Sequence, residues 1–526
     1  MNAELAEGYN VLQPPQTQAC CFLGKKPKKQ VDEKHNLPEA PTACDRYIMK
    51  GPMLLDVATH VTQSCGLCTC NAVNALRERH GVKQPECDVD FTTGDYGKFL
   101  NFMKKEIAKE YDEKFMYWAE NWIKKWPKGK REMFKRAAEK QLGNLHKVKA
   151  HVKDEPINKG IDEFGDINQM NKARLIQAYG DIAAQLLVSI ECYAFQKAAT
   201  TAFDGSKTYK GVSITIASEQ NCKEKGDWFR EHYNRYSNPM FYERDGENWD
   251  ATQNARHFAA KLLLYEVAGR DFVNYMSSAY RVNGTLYSKN KVDAIRYTMN
   301  GTVKSGHVDT SIGNGLVNAL ISATCLIHHG KKGSIIVTGD DLLVIVEGDF
   351  DVGSFVEFEK RCGIIPKAGK IDDPERVTFA SGVFVPCGNS SWAYIPMPGR
   401  NLAKLYWSRK PPGQKRLKNW LYSVSKGMDA LLTVPVVSEL IRRNSKEGKL
   451  IPIFSEKYMM RKMAVYNPIL PNAAIAWFRR RYGFDVKEIE RLEELIRSAP
   501  RGSIIKDKSF DHMLRLDSTE PDERDW

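Results

Sequence analysis

The 526-residue sequence contains no uninterrupted apolar run of the roughly 18–20 residues that a membrane-spanning helix needs. The closest approach, Leu175 to Phe195, is broken by Gln177, Asp181, Gln185 and Glu191 and reads as a buried helix. The opening stretch carries Glu4 and Glu7 instead of a basic-then-apolar leader, so no secretory signal is expected there. Twelve cysteines, irregularly spaced, are too few for a disulfide scaffold and point to reduced thiols in a cytosolic compartment. No internal repeat is present, which excludes solenoids and propellers. Any membrane attachment is therefore expected to be peripheral or through a partner.

What is present is an ordinary globular composition, 42% hydrophobic and 27% charged, with length enough for a large core. The charge is lopsided: 78 Lys+Arg against 65 Asp+Glu leave +13. Such a surplus favours a polyanionic partner, nucleic acid or an anionic membrane surface, without choosing between them. Residues 1–40 are polar, with Gln13-Pro14-Pro15-Gln16 and the cluster Lys25-Lys26-Pro27-Lys28-Lys29, and read as a flexible basic tail. From about 90 to 140 the chain reads as helical, aromatic and basic; Trp118, Trp122 and Trp126 fall at core spacing. Helices are expected over Thr252–Val267 and Ile312–His329, the second closed by Gly330. The chain ends in a polar, acidic stretch from Asp517 to Trp526.

The chemistry concentrates on carboxylates. Ser334–Val337 and Leu342–Val346 are β-rich runs flanking Thr338-Gly339-Asp340-Asp341, a hairpin with acids at its turn. Gly-Asp-Asp alone is ordinary turn chemistry. At the tip of strands that belong in a core sheet, however, paired carboxylates repel each other unless a hard cation such as Mg²⁺ neutralises them. A second acidic site, Asp245-Gly246-Glu247-Asn248-Trp249-Asp250, ends the strand Met240–Tyr242. If those strands are neighbours, Asp245 and Asp340 converge, and a two-metal site with ions about 4 Å apart becomes possible. Between them lies Ser305-Gly306-His307-Val308-Asp309-Thr310-Ser311-Ile312-Gly313-Asn314, a glycine-containing loop feeding a helix, with Thr310 or Ser311 as its ordinary N-cap. Upstream, Lys147, Lys149, Lys153, Lys159, Lys172 and Arg174 surround the loop Gly160–Gln169, a cationic set suited to a triphosphate.

Taken in order, the basic loop, Asp245-x4-Asp250, Ser305-Gly306-x3-Thr310-x3-Asn314 and Gly339-Asp340-Asp341 resemble the motif series of RNA-dependent RNA polymerases of positive-strand RNA viruses. The similarity is to the tombusvirus and nodavirus neighbourhood and covers about Lys147 to Arg400. It implies an α+β right hand of fingers, palm and thumb, with an antiparallel-sheet palm and mainly helical fingers and thumb. Residues 41–235 would form the N-terminal region and fingers, 236–395 the palm with a fingers insertion near 269–304, and 396–526 the thumb and acidic tail. By the same resemblance, Asp245, Asp340 and Asp341 hold two Mg²⁺ ions, with Mn²⁺ able to substitute. Asp250 and Asn314, supported by Thr310, would read the ribose 2′-hydroxyl, the group that separates RNA from DNA precursors. Lys153, Lys172 and Arg174 would contact the incoming ribonucleoside triphosphate, and Ser305 and Gly306 the template and nascent pair. Lys367 and Lys370 are both candidates for the acid that protonates the leaving pyrophosphate. Phe379–Phe384 resembles a primer-gripping hairpin, and Arg400 and Lys404, near the start of the thumb, are candidates either for RNA contact or for ordinary surface charge. The resemblance further implies template and product RNA as partners, room for a separate membrane-anchored viral replication protein, and host-cytoplasmic, membrane-associated replication complexes.

A reverse transcriptase shares the palm carboxylates, but its bulky steric gate is replaced here by Asp250 and Asn314. A non-catalytic RNA-binding scaffold would not need Asp245, Asp340 and Asp341 together. Cys65-Gly66-Leu67-Cys68-Thr69-Cys70, with His60, His80 and Cys87 nearby, has CxxC spacing; without a second CxxC, reduced thiols are expected ahead of structural zinc.

Overall fold

Runs of β-branched residues become strands where each face has something to cover. The computed structural model describes residues 22–24, 46–48, 56–57, 63–65, 71–72, 75–76, 84–124, 126, 128–140, 143–153, 156–157, 174–287, 294–406, 412–445, 447–451, 465–500 and 504–523. Strands are numbered in chain order, starting with β1 (Phe22–Gly24), β2 (Arg46–Ile48), β3 (Asp56–Val57) and β4 (Gln63–Cys65). A five-stranded sheet runs in the order β1, β12 (Ala294–Asn300), β11 (Arg281–Tyr287), β5 (Lys147–Val152), β7 (Leu175–Tyr179). A six-stranded sheet runs β15 (Pro366–Ile371), β10 (Pro239–Gly246), β14 (Asp341–Glu347), β13 (Gly333–Thr338), β9 (Val212–Ile216), β8 (Asp204–Tyr209). A third sheet follows, β16 (Thr378–Phe379), β17 (Gly382–Pro386) and β18 (Trp392–Pro396). Two small assemblies complete the set: β2, β4 and β6 (Pro156–Ile157), and β19 (Ile504–Ile505) beside β3.

The six-stranded sheet positions the site. Its central strands are buried on both faces. Tyr242, Val344 and Ile335 meet a large core shared with the helices Gly94–Lys124, Ile182–Ala202 and Thr310–His328. Phe241, Ile345 and Ile336 face a second core with Phe229 and Phe384. Pairing is antiparallel between β10 and β14, β10 and β15, and β13 and β14, but β13 runs parallel to β9. The sheet is therefore mixed: β9 reaches β13 only through a long crossover, which a hairpin-only reading omits. The C-terminal helices form a further core around Trp477, Phe478, Leu440 and Met513.

Several expectations change. Leu175–Phe195 is not one helix: Leu175–Tyr179 is strand β7, and the helix starts at Ile182, where the Asp181 side chain accepts from Ala183 N. The stretch Thr252–Val267 is interrupted. A short helix, Trp249–Thr252, ends at Gln253, and Asn254 caps a new helix, Ala255–Tyr265, through a capping box closed by His257. Residues expected to belong to mainly helical fingers also supply the five-stranded sheet. Phe22–Gly24, inside the expected flexible tail, pairs with β12; the lysines at 25–29 lie outside the described residues. The helix Thr310–His328, rather than Leu175–Phe195, is long and apolar enough to cross a membrane, yet it is largely buried as a core helix. Gly330, φ +64°, follows its C-cap as expected.

Candidate active site

The hairpin between β13 and β14 turns through Gly339 and Asp340, with Thr338 paired to Asp341. Gly339 has φ +63°, the left-handed first position that a two-residue hairpin turn of this kind gives to glycine. Asp340 stands exposed at the tip, and Asp341 begins β14 half-buried. Strand β10 lies alongside, with Arg244 opposite Leu342, so the register continues to Asp245 beside Asp341. Both acids line one narrow cleft with Thr378, Ser381 and Arg400. Among the described residues no three His, Cys, Asp or Glu side chains close into a metal cluster. The arrangement is an open edge of hard oxygen donors, which suits a Mg²⁺-like ion that completes its shell with substrate phosphates and water.

On the other side of β10, Asp245 is paired in register with Lys367, and Tyr242 with Lys370. Positions three apart on a strand face opposite ways, so Lys370 points away from Asp245. Its Nζ is 2.7 Å from Asp349, whereas Lys367 Nζ is 3.8 Å from Glu247, at the carboxylate end of the strand.

Asp250 is held between two further motif residues. Ser305 Oγ donates to its Oδ2, and Asn314 Nδ2 donates to its Oδ1 at 2.7 Å. Burial raises its pKa and the nearby Asp340 charge raises it further, against the two hydrogen bonds. Asn314 is itself buried, and its Oδ1 has no hydrogen-bond partner. The Ser305 loop is stitched to its neighbours by the backbone: Gln177 N donates to Ser305 O at 2.6 Å and Val303 N to Asp250 O at 2.7 Å. Gly306 has φ +97°, and a Cβ there would sit 2.6 Å from Ile176 Cγ2, so glycine is required twice over.

The N-cap position of the Thr310–His328 helix belongs to Asp309, not to Thr310 or Ser311. Thr310 Oγ1 donates to His307 O at 2.8 Å and to Lys304 O at 3.1 Å, bracing the loop instead of reaching Asp250. Asp309 makes no side-chain cap. It accepts from Tyr265 OH at 2.9 Å and lies 2.7 Å from His307 Nδ1 and 3.4 Å from Lys261 Nζ. Burial alone would raise its pKa, but Lys261, His307 and Tyr265 together hold the carboxyl well below the usual range.

The remaining candidates are scattered. Lys153 and Arg174 are joined through the backbone, Lys153 N to Arg174 O at 2.7 Å, while Lys172 and the loop Gly160–Gln169 lie outside the described residues. Lys147 and Lys149 border an open hollow of about 780 Å³ on the five-stranded sheet, with Arg296. Phe379 and Gly382 close a hairpin through Ala380 and Ser381, both left-handed, and Arg400 Nη1 donates to Ser381 Oγ at 3.2 Å. Lys404 follows the helix Pro398–Leu402 and does not line the cleft. Of the zinc candidates, His60, Cys68, Cys70 and His80 lie outside the described residues, and Cys87 is a free thiol whose pKa is pushed up by burial.

Several residues near the site escaped the sequence reading. Glu243 accepts from Thr378 Oγ1 at 2.8 Å and from Thr378 N, tying β10 to the β16–β17 hairpin. Arg244 and Asn318 contact the Asp340 turn; Asn318 stands four residues after Asn314, one helical turn along the same face, which was the available signal. The expected acidic tail is also partly structural. Asp517 is buried against Arg481 at 2.8 Å, Tyr482 OH at 3.0 Å and Gly399 N at 2.7 Å, and Ser518–Pro521 border the cleft of Asp245 and Asp341. Its partners lie 35 or more residues away in sequence, so composition showed only a polar, acidic stretch.

A search of curated proteins finds no match to the chain. A sequence model of viral RNA-dependent RNA polymerases matches residues 201–466. That span begins after the basic loop, includes Asp245, Asp250, the Ser305 loop and the Asp340 turn, and continues beyond Arg400. Covering just over half of the sequence, it shows that the chain belongs to the viral RNA-dependent RNA polymerase family, enzymes that are RNA-directed nucleotidyltransferases.

Proposed function

We propose that this polymerase copies a positive-strand viral RNA genome from ribonucleoside triphosphates at the edge formed by Asp245, Asp340 and Asp341. One observation carries the reading: Ser305 and Asn314 both grip Asp250, whose carboxyl feels the charge of Asp340. Ribose recognition and phosphoryl chemistry thereby share one small region. The 3′-hydroxyl of the growing RNA loses its proton to solvent and attacks the α-phosphate, and the bond between that phosphate and the pyrophosphate breaks. Two Mg²⁺ ions held by Asp245, Asp340 and Asp341, with Mn²⁺ able to substitute, would neutralise the charge that develops on the attacking and leaving oxygens.

The chain's own residues do the rest. Asp250 and Asn314 receive the ribose 2′-hydroxyl; the unpartnered Asn314 Oδ1 is a ready acceptor for that proton. A deoxyribose would leave the buried Asn314 Oδ1 unpaired. Lys367, paired with Asp245, is assigned the proton for the leaving pyrophosphate, in preference to Lys370, which faces Asp349. Lys153, Lys172 and Arg174 take the triphosphate. Ser305, Gly306, Arg400 and Lys404 contact RNA, with Thr310 bracing the Ser305 loop. In this reading residues 236–395 are the palm, 41–235 and about 269–304 the fingers, and 396–526 the thumb. The protein works in membrane-associated complexes of the host cytoplasm, recruited by a separate membrane-anchored viral replication protein.

Incorporation of ribonucleotides on homopolymer RNA templates, with and without primer, tests the reading. Template-dependent synthesis with Mg²⁺ or Mn²⁺ is expected. Inactivity with both metals across templates and primers would sink it.

A further inference from the structure

Three consecutive carbonyls of the catalytic turn converge on one side chain. Asn318 Nδ2 lies 3.2 Å from Gly339 O, 3.1 Å from Asp340 O and 3.3 Å from Asp341 O. A primary amide carries two hydrogens, so these must be shared among the three acceptors. Its orientation is set from behind. Arg244 Nη2 donates to Asn318 Oδ1 at 2.6 Å, which leaves the NH₂ facing the turn. Arg244 is in turn held by the Glu359 carboxylate, with Nε 3.3 Å from Oε2, and by the Trp249 ring 4.7 Å below its guanidinium. Tyr242 OH donates to the same Glu359 oxygen at 2.9 Å. The ion pair is fully enclosed: the Arg244 side chain is 0% exposed and that of Glu359 1%.

We infer that Asn318, oriented by Arg244, is a positioning residue that fixes the backbone of the Asp340–Asp341 turn and so aims its carboxylates. The inference rests on the reading of that turn as catalytic. Two features favour orientation over charge. The Arg244 cation is balanced by the Glu359 anion beside it, so the pair adds little net field at the carboxylates. The contacts to the turn are all to main-chain oxygens, which determine the direction of the Asp side chains without engaging them. Gly339 makes such a brace necessary, because the residue that permits the turn is also the most permissive in the backbone. A catalytic acid held loosely by even an ångström forfeits much of its effect.

Asn318→Leu, of similar size but without a donor, and Arg244→Lys, which keeps the charge but not the planar two-point reach, test this in the full-length protein. Single-nucleotide addition should show kcat lowered by about 10- to 100-fold in Asn318→Leu and by less in Arg244→Lys. KM for the ribonucleotide should stay within about twofold, because Asp250 and Asn314 are untouched. RNA affinity should match the parent. If Asn318→Leu fails to fold, Arg244→Lys decides alone. A parental kcat in the folded variants overturns the inference, and so does a loss expressed in KM. Asp340→Ala run alongside separates the two levels: if that protein still makes RNA, the catalytic reading of the turn falls, whatever Asn318→Leu does.

Discussion

Two acidic centres flank the helix Thr310–His328, and they are built on opposite terms. Asp309, at its N-terminus, is buried and answered from within by Lys261, His307 and Tyr265. Asp340, packed near its middle turns through Asn318, is exposed at a hairpin tip next to Asp341, which shares a cleft with Asp245. The first centre is self-sufficient and holds the Ser305 loop in shape. The second has its backbone fixed by Asn318 while the Asp340 side chain stands at the surface. Asp250 stands between the two kinds, with both oxygens held by the protein yet its pKa raised by burial and by Asp340. Enclosure and internal pairing give Asp309 the setting of a structural carboxylate, whereas the proposed catalytic centre is built on a braced turn whose tip residue, Asp340, is exposed.

The comparison predicts opposite phenotypes. Asp340→Ala should lower RNA synthesis on the order of 10²–10³-fold or more while leaving RNA binding and the unfolding midpoint near the parent. Near-normal synthesis would erase the distinction. Asp309→Ala should act first on stability, costing about 3–5 kcal/mol in chemical denaturation because Lys261 is left buried and unpaired. The sign with pH follows from the lowered Asp309 pKa: its contribution is present above the ordinary carboxylate value near 3.8 and is lost as pH falls through the folded-state value. The variant should accordingly show a shallower loss of stability on acidification; an unchanged slope would mean the network is not a stabilising one. Asp250→Ala should fall between, reducing the preference for ribo- over deoxyribonucleotides by about 10- to 100-fold in competition assays. The smallest effect is expected at Ala380, which occupies φ +47° in the β16–β17 turn. Ala380→Gly should gain up to about 1 kcal/mol in denaturant titration by relieving a left-handed alanine.

Much of the open centre was legible in sequence, because a glycine and two acids between β-branched runs specify a hairpin locally. The Asn254 break is harder to see: its capping box uses His257 in place of the usual Glu or Gln, so the familiar sequence signal for a helix start is missing there. Strand β7 was hidden because Leu175–Tyr179 carries apolar residues on both faces and ends only two residues before an apolar helix. Asp181 was the punctuation that separated them. The closed centre was not legible at all. Lys261, Tyr265 and Asp309 acquire meaning only when two helices pack, and Arg244, Asn318 and Glu359 likewise come from a strand and two helices.

The strand order of the six-stranded sheet also bears on how the enzyme comes into being. Arg244 and Asp340 touch across 96 residues of chain, and β15 joins β10 from farther still. Contacts of such long range form late, after large loops have closed, and they slow folding. No fragment made early in synthesis of the chain can bring Asp245, Asp341 and Lys367 together. If these residues form the proposed active site, RNA synthesis requires the complete sheet and becomes a stringent report of correct folding.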